Sequence, residues 1–198
     1  MKRLLDLALT IPAIVLLTPV TAVVALLVRL NLGRPIILRQ QRPGLHGRPF
    51  ILFKFRSMRD DVDANGRLLP DADRLTPFGR WLRSTSLDEI PELINVLRGE
   101  MSLVGPRPLL MQYLTRYTPH QARRHEVRPG MTGLAQVRGR NLLSWEERFD
   151  LDVWYVDHRT LWLDVSILLS TVRTVFTREG TTTPGHATAV EFMGPDNQ

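Results

Sequence analysis

The sequence predicts a mixed α/β fold, mostly helical, with one small domain (residues 33–198) behind an apolar N-terminal helix (residues 1–32). Three observations carry this. Leu7 to Val28 is a 22-residue run without a charge, about 33 Å long as a helix and enough to cross a bilayer. Residues 36–42 and 49–56 are rich in Ile, Leu and Phe and flank a Pro/Gly turn, as in a β-hairpin. Residues 86–98 and 161–176 space their apolar side chains at the helical period. The roughly 165 residues beyond the apolar run fit a single domain by the usual size range.

The N-terminal run has two readings. A single spanning anchor explains its length; a signal peptide does not, because the run is too long and no A-x-A-like site follows. Pro12 and Pro19 interrupt it, each freeing the carbonyl four residues back, at Ala8 and Val15. The hydroxyl of Thr18, directly before Pro19, can satisfy a nearby carbonyl and make a bend tolerable in lipid. Both flanks are basic: Lys2 and Arg3 before, Arg29, Arg34 and Arg39 after. A spanning helix normally shows a bias in positive charge, so a re-entrant helix that bends at Thr18-Pro19 is an equal rival.

The formal net charge of +6, with arginine greatly outnumbering lysine, points to an anionic partner: nucleic acid, a phosphorylated substrate or an anionic lipid headgroup. The absence of cysteine excludes disulfides, thiolate zinc sites and a cysteine nucleophile. The histidines lack helical metal spacing, and no G-x-S-x-G elbow of a serine hydrolase occurs.

On the second hairpin strand, alternation puts Ile51, Phe53 and Phe55 on one face and Leu52, Lys54 and Arg56 on the other. Lys54 and Arg56 could thus meet one phosphate, or form an ordinary solvated face. Residues 60–75 read as a surface loop; Asp60, Asp61 and Asp63 lack the glycine and glutamate spacing of a calcium loop.

Ser86 to Arg98 reads as a punctuated helix. Ser86 and Glu89 fit an S-x-x-E capping box, Ile90, Leu93, Ile94 and Leu97 form an apolar stripe, and Gly99 is a stop. Pro91 belongs in the first turn. Asp88 and Glu89 then lie where the helix dipole favours negative charge, which simple capping also explains. Downstream, Pro106 and Pro108 stiffen the backbone around Arg107 and present its guanidinium at low entropic cost. Arg128-Pro129-Gly130-Met131-Thr132-Gly133 and the following Arg138, Arg140 and Asn141 read as a Gly/Arg-rich loop able to cradle phosphates or a nucleotide. Leu161 to Phe176 reads as an amphipathic helix, with Leu161, Val165, Leu168, Leu169, Val172 and Phe176 on one side. Core packing and burial at a membrane interface both fit it. The tail from Thr181 reads as irregular.

The chain resembles the small monotopic phosphoglycosyl transferases, a bacterial sugar transferase family acting on polyprenol phosphate. The resemblance runs nearly end to end: the proline-broken first helix, QQRPGLHGRPFILFKFRSM, RSTSLDEIPELINVLRGEMSLVGPRPLL, RPGMTGLAQVRGRN and the tail Gly185-His186-Ala187-Thr188. That tail is similar to those of the N,N′-diacetylbacillosamine-1-phosphate transferases. The L-D-E helix followed by V-G-P-R-P is the specific combination.

The resemblance implies that residues 33–198 form a cytoplasmic catalytic domain, with interfacial amphipathic helices and a re-entrant N-terminal helix at the inner membrane. Asp88 would attack the β-phosphate of a UDP-sugar and release UMP, and undecaprenyl phosphate would then take up the phosphosugar. Glu89, with Asp88, would bind Mg²⁺, and Lys54 and Arg107 would surround the transferred phosphate. Thr18-Pro19 stands where the family has a Ser-Pro pair; Leu134 replaces a common tryptophan and Arg138 a common asparagine. Expected partners are the UDP-sugar, undecaprenyl phosphate, an anionic phospholipid membrane, a second copy of the chain and downstream glycosyltransferases, but no nucleic acid. Two rivals are a non-catalytic, membrane-anchored basic module and an inactive scaffold subunit.

Overall fold

The computed structural model describes residues 1–139, 142–177 and 191–194. Its first element, α1 (Lys2–Leu32), contains Pro12 and Pro19 and is long and apolar enough to cross a membrane. Thr18 Oγ1 donates to the Ile14 carbonyl and Thr21 Oγ1 to that of Leu17, each at 2.7 Å. Such hydroxyl back-bonding supports helix carbonyls near a proline where water is absent. Along its middle, Ile11, Val15, Leu16, Val20 and Val23 are exposed, Leu16 by 74 %. A bare apolar surface of this kind marks an interaction with membrane or protein.

Both ends of α1 are tied to the same domain. Near its start, Asp6 accepts hydrogen bonds from Ser102 Oγ (2.9 Å) and the Leu103 amide (3.0 Å). Lys2 pairs with Asp164 at 2.6 Å, and Arg3 donates to the carbonyls of Val96 and Leu97. Near its end, Val24 and Val28 pack with Phe55 and Leu82, and Arg56 donates to the Leu32 carbonyl.

The predicted hairpin forms from β1 (Ile37–Pro43) and β2 (Pro49–Phe55), antiparallel with Ile37 opposite Phe55. Phe50 and Leu52 are buried, whereas Ile51 is exposed. Lys54, in the same alternation, therefore leaves the strand toward the interior. The loop at 60–75 contains only a Val62–Leu68 bridge and α2 (Asp71–Arg74). Next comes α3 (Pro77–Ser84), capped by Thr76, whose hydroxyl accepts from the Gly79 amide.

The helix expected over 86–98 is shorter and starts differently. Leu87–Glu89 is a 3-10 turn, and α4 (Glu92–Arg98) follows, with Pro91 at its N-cap. Gly99 ends it in the left-handed region, φ 81°, as the sequence suggests. Ser86 is itself left-handed (φ 56°), and its side chain caps nothing. The expected capping box is therefore absent there; Glu89 is drawn away by cations from elsewhere in the chain. Asn95, fully buried on α4, donates to the Ile51 carbonyl and accepts from the Phe53 amide, fixing α4 to β2.

The short strands β3 (Ser102–Val104) and β4 (Gly130–Thr132) pair in parallel. The expected glycine-rich loop is thus largely this strand followed by α6 (Leu134–Arg138), which comes after α5 (Pro119–Ala122). Its glycines allow backbones to meet: a Cβ on Gly130 would lie 2.1 Å from the Gly105 amide nitrogen, and one on Gly133 2.2 Å from the Gly105 carbonyl oxygen.

Two helices complete the described fold, α7 (Trp145–His158) and α8 (Leu161–Thr177). A true capping box, Ser144 with Glu147, starts α7, and Phe149, Val153 and Tyr155 on this helix are buried. On α8, Asp164 and Ile167 are buried, while Trp162 (79 %), Leu169 and Val172 are exposed. The stripe of Leu168, Leu169 and Val172 read from the sequence is therefore divided between two faces. A polar contact explains the inward turn of Asp164: it binds Lys2 and accepts from the Tyr155 hydroxyl at 2.6 Å. The tail from Thr181 to Val190, including the Gly185–Thr188 motif, lies outside the described residues.

Candidate active site

Residues from three separate parts of the chain meet where β2, the 3-10 turn and the segment after β3 converge. The left-handed conformation of Ser86, unfavourable for a side chain with a Cβ by roughly 1 kcal/mol, turns the chain at the end of α3. Beyond it, Leu87 packs toward the α1 cluster, and Asp88 and Glu89 reach the site. Lys54 comes from β2. Arg107 comes from the proline-flanked segment, whose backbone is held by the buried Arg124: its guanidinium donates to the Arg107 carbonyl at 2.8 Å and pairs with Asp152 at 2.6 Å.

Glu89 is saturated with positive charge. Its Oε1 lies 2.6 Å from Arg107 Nη2 and 2.8 Å from Lys54 Nζ. Burial alone would raise its pKa, but the Arg107 and Lys54 charges outweigh burial and hold the carboxyl well below the usual range. Lys54 shows the converse: burial acts to lower its pKa, and the carboxylates around it raise it. Asp88 differs. It is 8 % exposed, and among the described residues its carboxylate has no hydrogen bond or ion pair. Burial, reinforced by the Glu89 charge, pushes it up to about 6 against the pull of Lys54, Arg83 and Arg107.

Two residues the sequence reading missed belong to this site. Arg83, on α3, donates from Nε to Ser57 Oγ at 2.9 Å and faces the Asp88 charge. Glu92, in the first turn of α4, is 2 % exposed, and its Oε1 lies 2.9 Å from Lys54 Nζ. The sequence offers a signal for each: Arg83 is five residues before Asp88, and Glu92 is one helical turn after it.

Other expected residues go elsewhere. Arg56 does not join Lys54 at a common phosphate position: its guanidinium binds Asp60 at 2.7 Å and the Leu32 carbonyl, clamping α1. Arg128 donates to the Gly99 carbonyl at 2.8 Å. Arg138 is exposed at the end of α6, and Arg140 and Asn141 lie outside the described residues. Thr18 and Pro19 are on α1; Pro19, Val20, Val23, Val24 and Leu27 face Trp81 and Leu87 across an apolar cavity of about 330 Å³. This cavity adjoins the residue before Asp88.

Among the described residues, no three of His, Cys, Asp and Glu come together to cage a metal ion. The adjacent oxygen donors of Asp88 and Glu89 nevertheless suit a hard cation such as Mg²⁺, which commonly takes one or two carboxylates and completes its shell with water and substrate phosphate.

Comparison with known proteins identifies the family. The model of the bacterial sugar transferase family matches residues 1–178. The chain is 54 % identical over 198 residues to a Bacillus subtilis protein named uncharacterized sugar transferase EpsL, covering 98 % of this chain and 96 % of that one. It is 38 % identical to the undecaprenyl-phosphate galactose phosphotransferase of Salmonella typhimurium, covering 91 % of this chain and 41 % of the relative. It is 39 % identical to the UDP-glucose:undecaprenyl-phosphate glucose-1-phosphate transferase of Escherichia coli, covering 87 % and 39 %. The chain thus spans about two fifths of those two longer relatives and nearly all of the first. With a family model matched over most of its length and relatives well above 30 % identity, the chain belongs to the bacterial sugar transferase family.

Proposed function

We propose that the protein transfers a sugar 1-phosphate from a UDP-sugar to undecaprenyl phosphate, in two steps through Asp88, as the first membrane step in building a glycoconjugate. The observation that carries this is the buried Asp88 carboxyl, with no hydrogen bond or ion pair among the described residues, set in the field of Lys54, Arg83 and Arg107. A carboxylate is a weak nucleophile toward an anionic diphosphate unless positive charge screens the repulsion. Here that charge is already in place.

In the first step an Asp88 oxygen attacks the β-phosphorus of the donor. A carboxylate O–P bond forms, the bond from that phosphorus to the bridging oxygen breaks, and its electron pair leaves with UMP. In the second step an oxygen of the lipid phosphate attacks the same phosphorus, and the Asp88 carboxylate is the leaving group. Lys54 and Arg107 stabilise the phosphate oxygens during both displacements, and Arg83 faces the nucleophile. Glu89 and Asp88 would hold Mg²⁺, which would further neutralise the diphosphate charge.

α1 supports a location at a membrane surface. Its two ends are bonded to one domain, at Asp6 and at Leu32, whereas crossing the bilayer would part them by about 30 Å of hydrocarbon. This supports a re-entrant helix, with the domain on the cytoplasmic face of the bacterial inner membrane and Trp162, Leu169 and Val172 at the interface. A nucleotide sugar from water then meets a phosphate carried by lipid. Mg²⁺-dependent UMP release from a UDP-sugar, with undecaprenyl phosphate as acceptor, tests the reaction. Asp88→Asn should abolish it with folding intact; wild-type release by that variant refutes the reading.

A further inference from the structure

We propose that Glu92 is a positioning residue for sugar-phosphate transfer, holding the Lys54 ammonium over the phosphate site while Glu89 changes partners. The inference rests on the reaction just described and concerns how one of its cations is kept in place.

Lys54 Nζ has two carboxylate neighbours, Glu89 at 2.8 Å and Glu92 at 2.9 Å. They are not equivalent. Glu89 uses the same oxygen for Arg107 at 2.6 Å, and its side chain is 19 % exposed. An arriving diphosphate offers Lys54 and Arg107 new acceptors, and a bound cation competes for Glu89. The Glu89–Lys54 contact is therefore one that substrate loading weakens.

The Glu92 side chain is 3 % exposed, against 19 % for Glu89. Lys54, at 2.9 Å from its Oε1, is its only ion-pair partner among the described residues. Burying a carboxylate costs several kcal/mol before its attractions are counted, and a hydrophobic residue would fill the position at lower cost. Burial, with the Glu89 charge, pushes the Glu92 carboxyl up to about 7 against the Lys54 and Arg107 charges. What the carboxylate supplies is a fixed point for the ammonium. Its backbone is equally fixed, because three residues later Asn95 fastens α4 to β2, the strand that carries Lys54. The pair is therefore braced from both sides, as a group that must keep its place through two displacements requires.

The test uses the full chain in lipid nanodiscs and four variants: Glu92→Leu, Glu92→Gln, Lys54→Met and the double variant Glu92→Leu/Lys54→Met. Glu92→Leu should lower kcat at least about tenfold with KM for the UDP-sugar changed less than about threefold, a split typical of lost positioning. Glu92→Gln, which keeps an acceptor oxygen for the ammonium, should recover most of the rate. In the Lys54→Met background, Glu92→Leu should cost less than about twofold, because its effect passes through the lysine. An independent readout is amine-reactive labelling of Lys54, followed by mass spectrometry. In wild type it should stay protected with and without Mg²⁺; in Glu92→Leu, adding Mg²⁺ alone, which competes for Glu89 without bringing a phosphate, should expose it severalfold.

Multiplicative losses in the double variant, or unchanged labelling in Glu92→Leu, would overturn the proposal. A Glu92→Gln variant as slow as Glu92→Leu would overturn it as well. Should Glu92→Leu not fold, Glu92→Met, which removes both carboxylate oxygens at similar side-chain volume, measures the same coupling in the wild-type and Lys54→Met backgrounds and decides the matter. Failure of the covalent reading is separate: Asp88→Asn would then release UMP at the wild-type rate, while coupling between Glu92 and Lys54 could still be scored.

Discussion

Replacing Asp6 with alanine should release the start of α1 from the domain and destabilise the protein more than any exposed change along that helix. Asp6 is 4 % exposed and accepts two hydrogen bonds, from Ser102 Oγ at 2.9 Å and the Leu103 amide at 3.0 Å. Hydrogen bonds to a charged group contribute about 1.5–3 kcal/mol each, and the buried donors left behind add a desolvation penalty. Water entering the vacated space offsets part of this, so a loss of about 3 kcal/mol is expected. For a domain of this size that corresponds to a fall in Tm of roughly 6–12 °C. Asp6→Asn, which keeps one acceptor oxygen, should lose about half as much. The assay is thermal unfolding in nanodiscs, with protease nicking near Met1 as a local probe. Thr18→Val, which removes only a hydroxyl bonded within its own helix, is the control. A loss below about 1 kcal/mol for Asp6→Ala, or no gain in nicking, would refute the claim that the domain holds this end of α1.

Three further outcomes follow from packing and charge. Arg124→Met leaves the buried Asp152 carboxylate unpaired and should cost about 3–5 kcal/mol; adding Asp152→Leu should restore stability in urea unfolding but not UMP release, because the Arg107 carbonyl still lacks its donor. Gly130→Ala places a Cβ 2.1 Å from the Gly105 amide nitrogen and should destabilise by at least about 2 kcal/mol, whereas Gly66→Ala, with nothing within 4 Å of its Cβ and φ +74°, should cost about 1 kcal/mol in the same unfolding assay. Burial, then the Arg124 charge, push His125 down to about 4 against a hydrogen bond to Gly44; the unfolded chain therefore binds a proton near pH 6.5 that the folded protein refuses, so this stability is fully present above pH 6.5 and falls by up to about 1.4 kcal/mol per pH unit on the way down to pH 4. Urea midpoints at pH 7.5 and 4.5 should differ less in His125→Gln than in wild type.

What is legible in the sequence is local. The hairpin follows from two apolar runs and their turn, α1 from an uncharged run, and the end of α4 from Gly99. The start of α4 is not legible, because Glu89 is claimed by Lys54 and Arg107, 35 and 18 residues away, so the reciprocal bond to Ser86 never forms. The place of Arg56 is hidden for a similar reason: strand alternation gives the direction of a side chain, not the carbonyl of Leu32 waiting there. On α8 the inward face is set by Asp164, whose partners Lys2 and Tyr155 come from two other helices. The glycines of the 128–133 segment carry a backbone-packing signal that resembles a phosphate cradle in one dimension. Arg83 and Glu92 look like ordinary surface charges until the fold brings Arg83 to face Asp88 and Glu92 to Lys54.

A covalent trap tests the two-step chemistry at Asp88 most directly. The protein in nanodiscs is incubated with a UDP-sugar and Mg²⁺ but no acceptor, then measured by intact and peptide mass spectrometry. The expected result is a mass gain of one phosphosugar on the peptide containing Asp88, released by undecaprenyl phosphate and absent in Asp88→Asn. UMP formation in step with lipid product but without any such adduct, or an adduct on another residue, would contradict it.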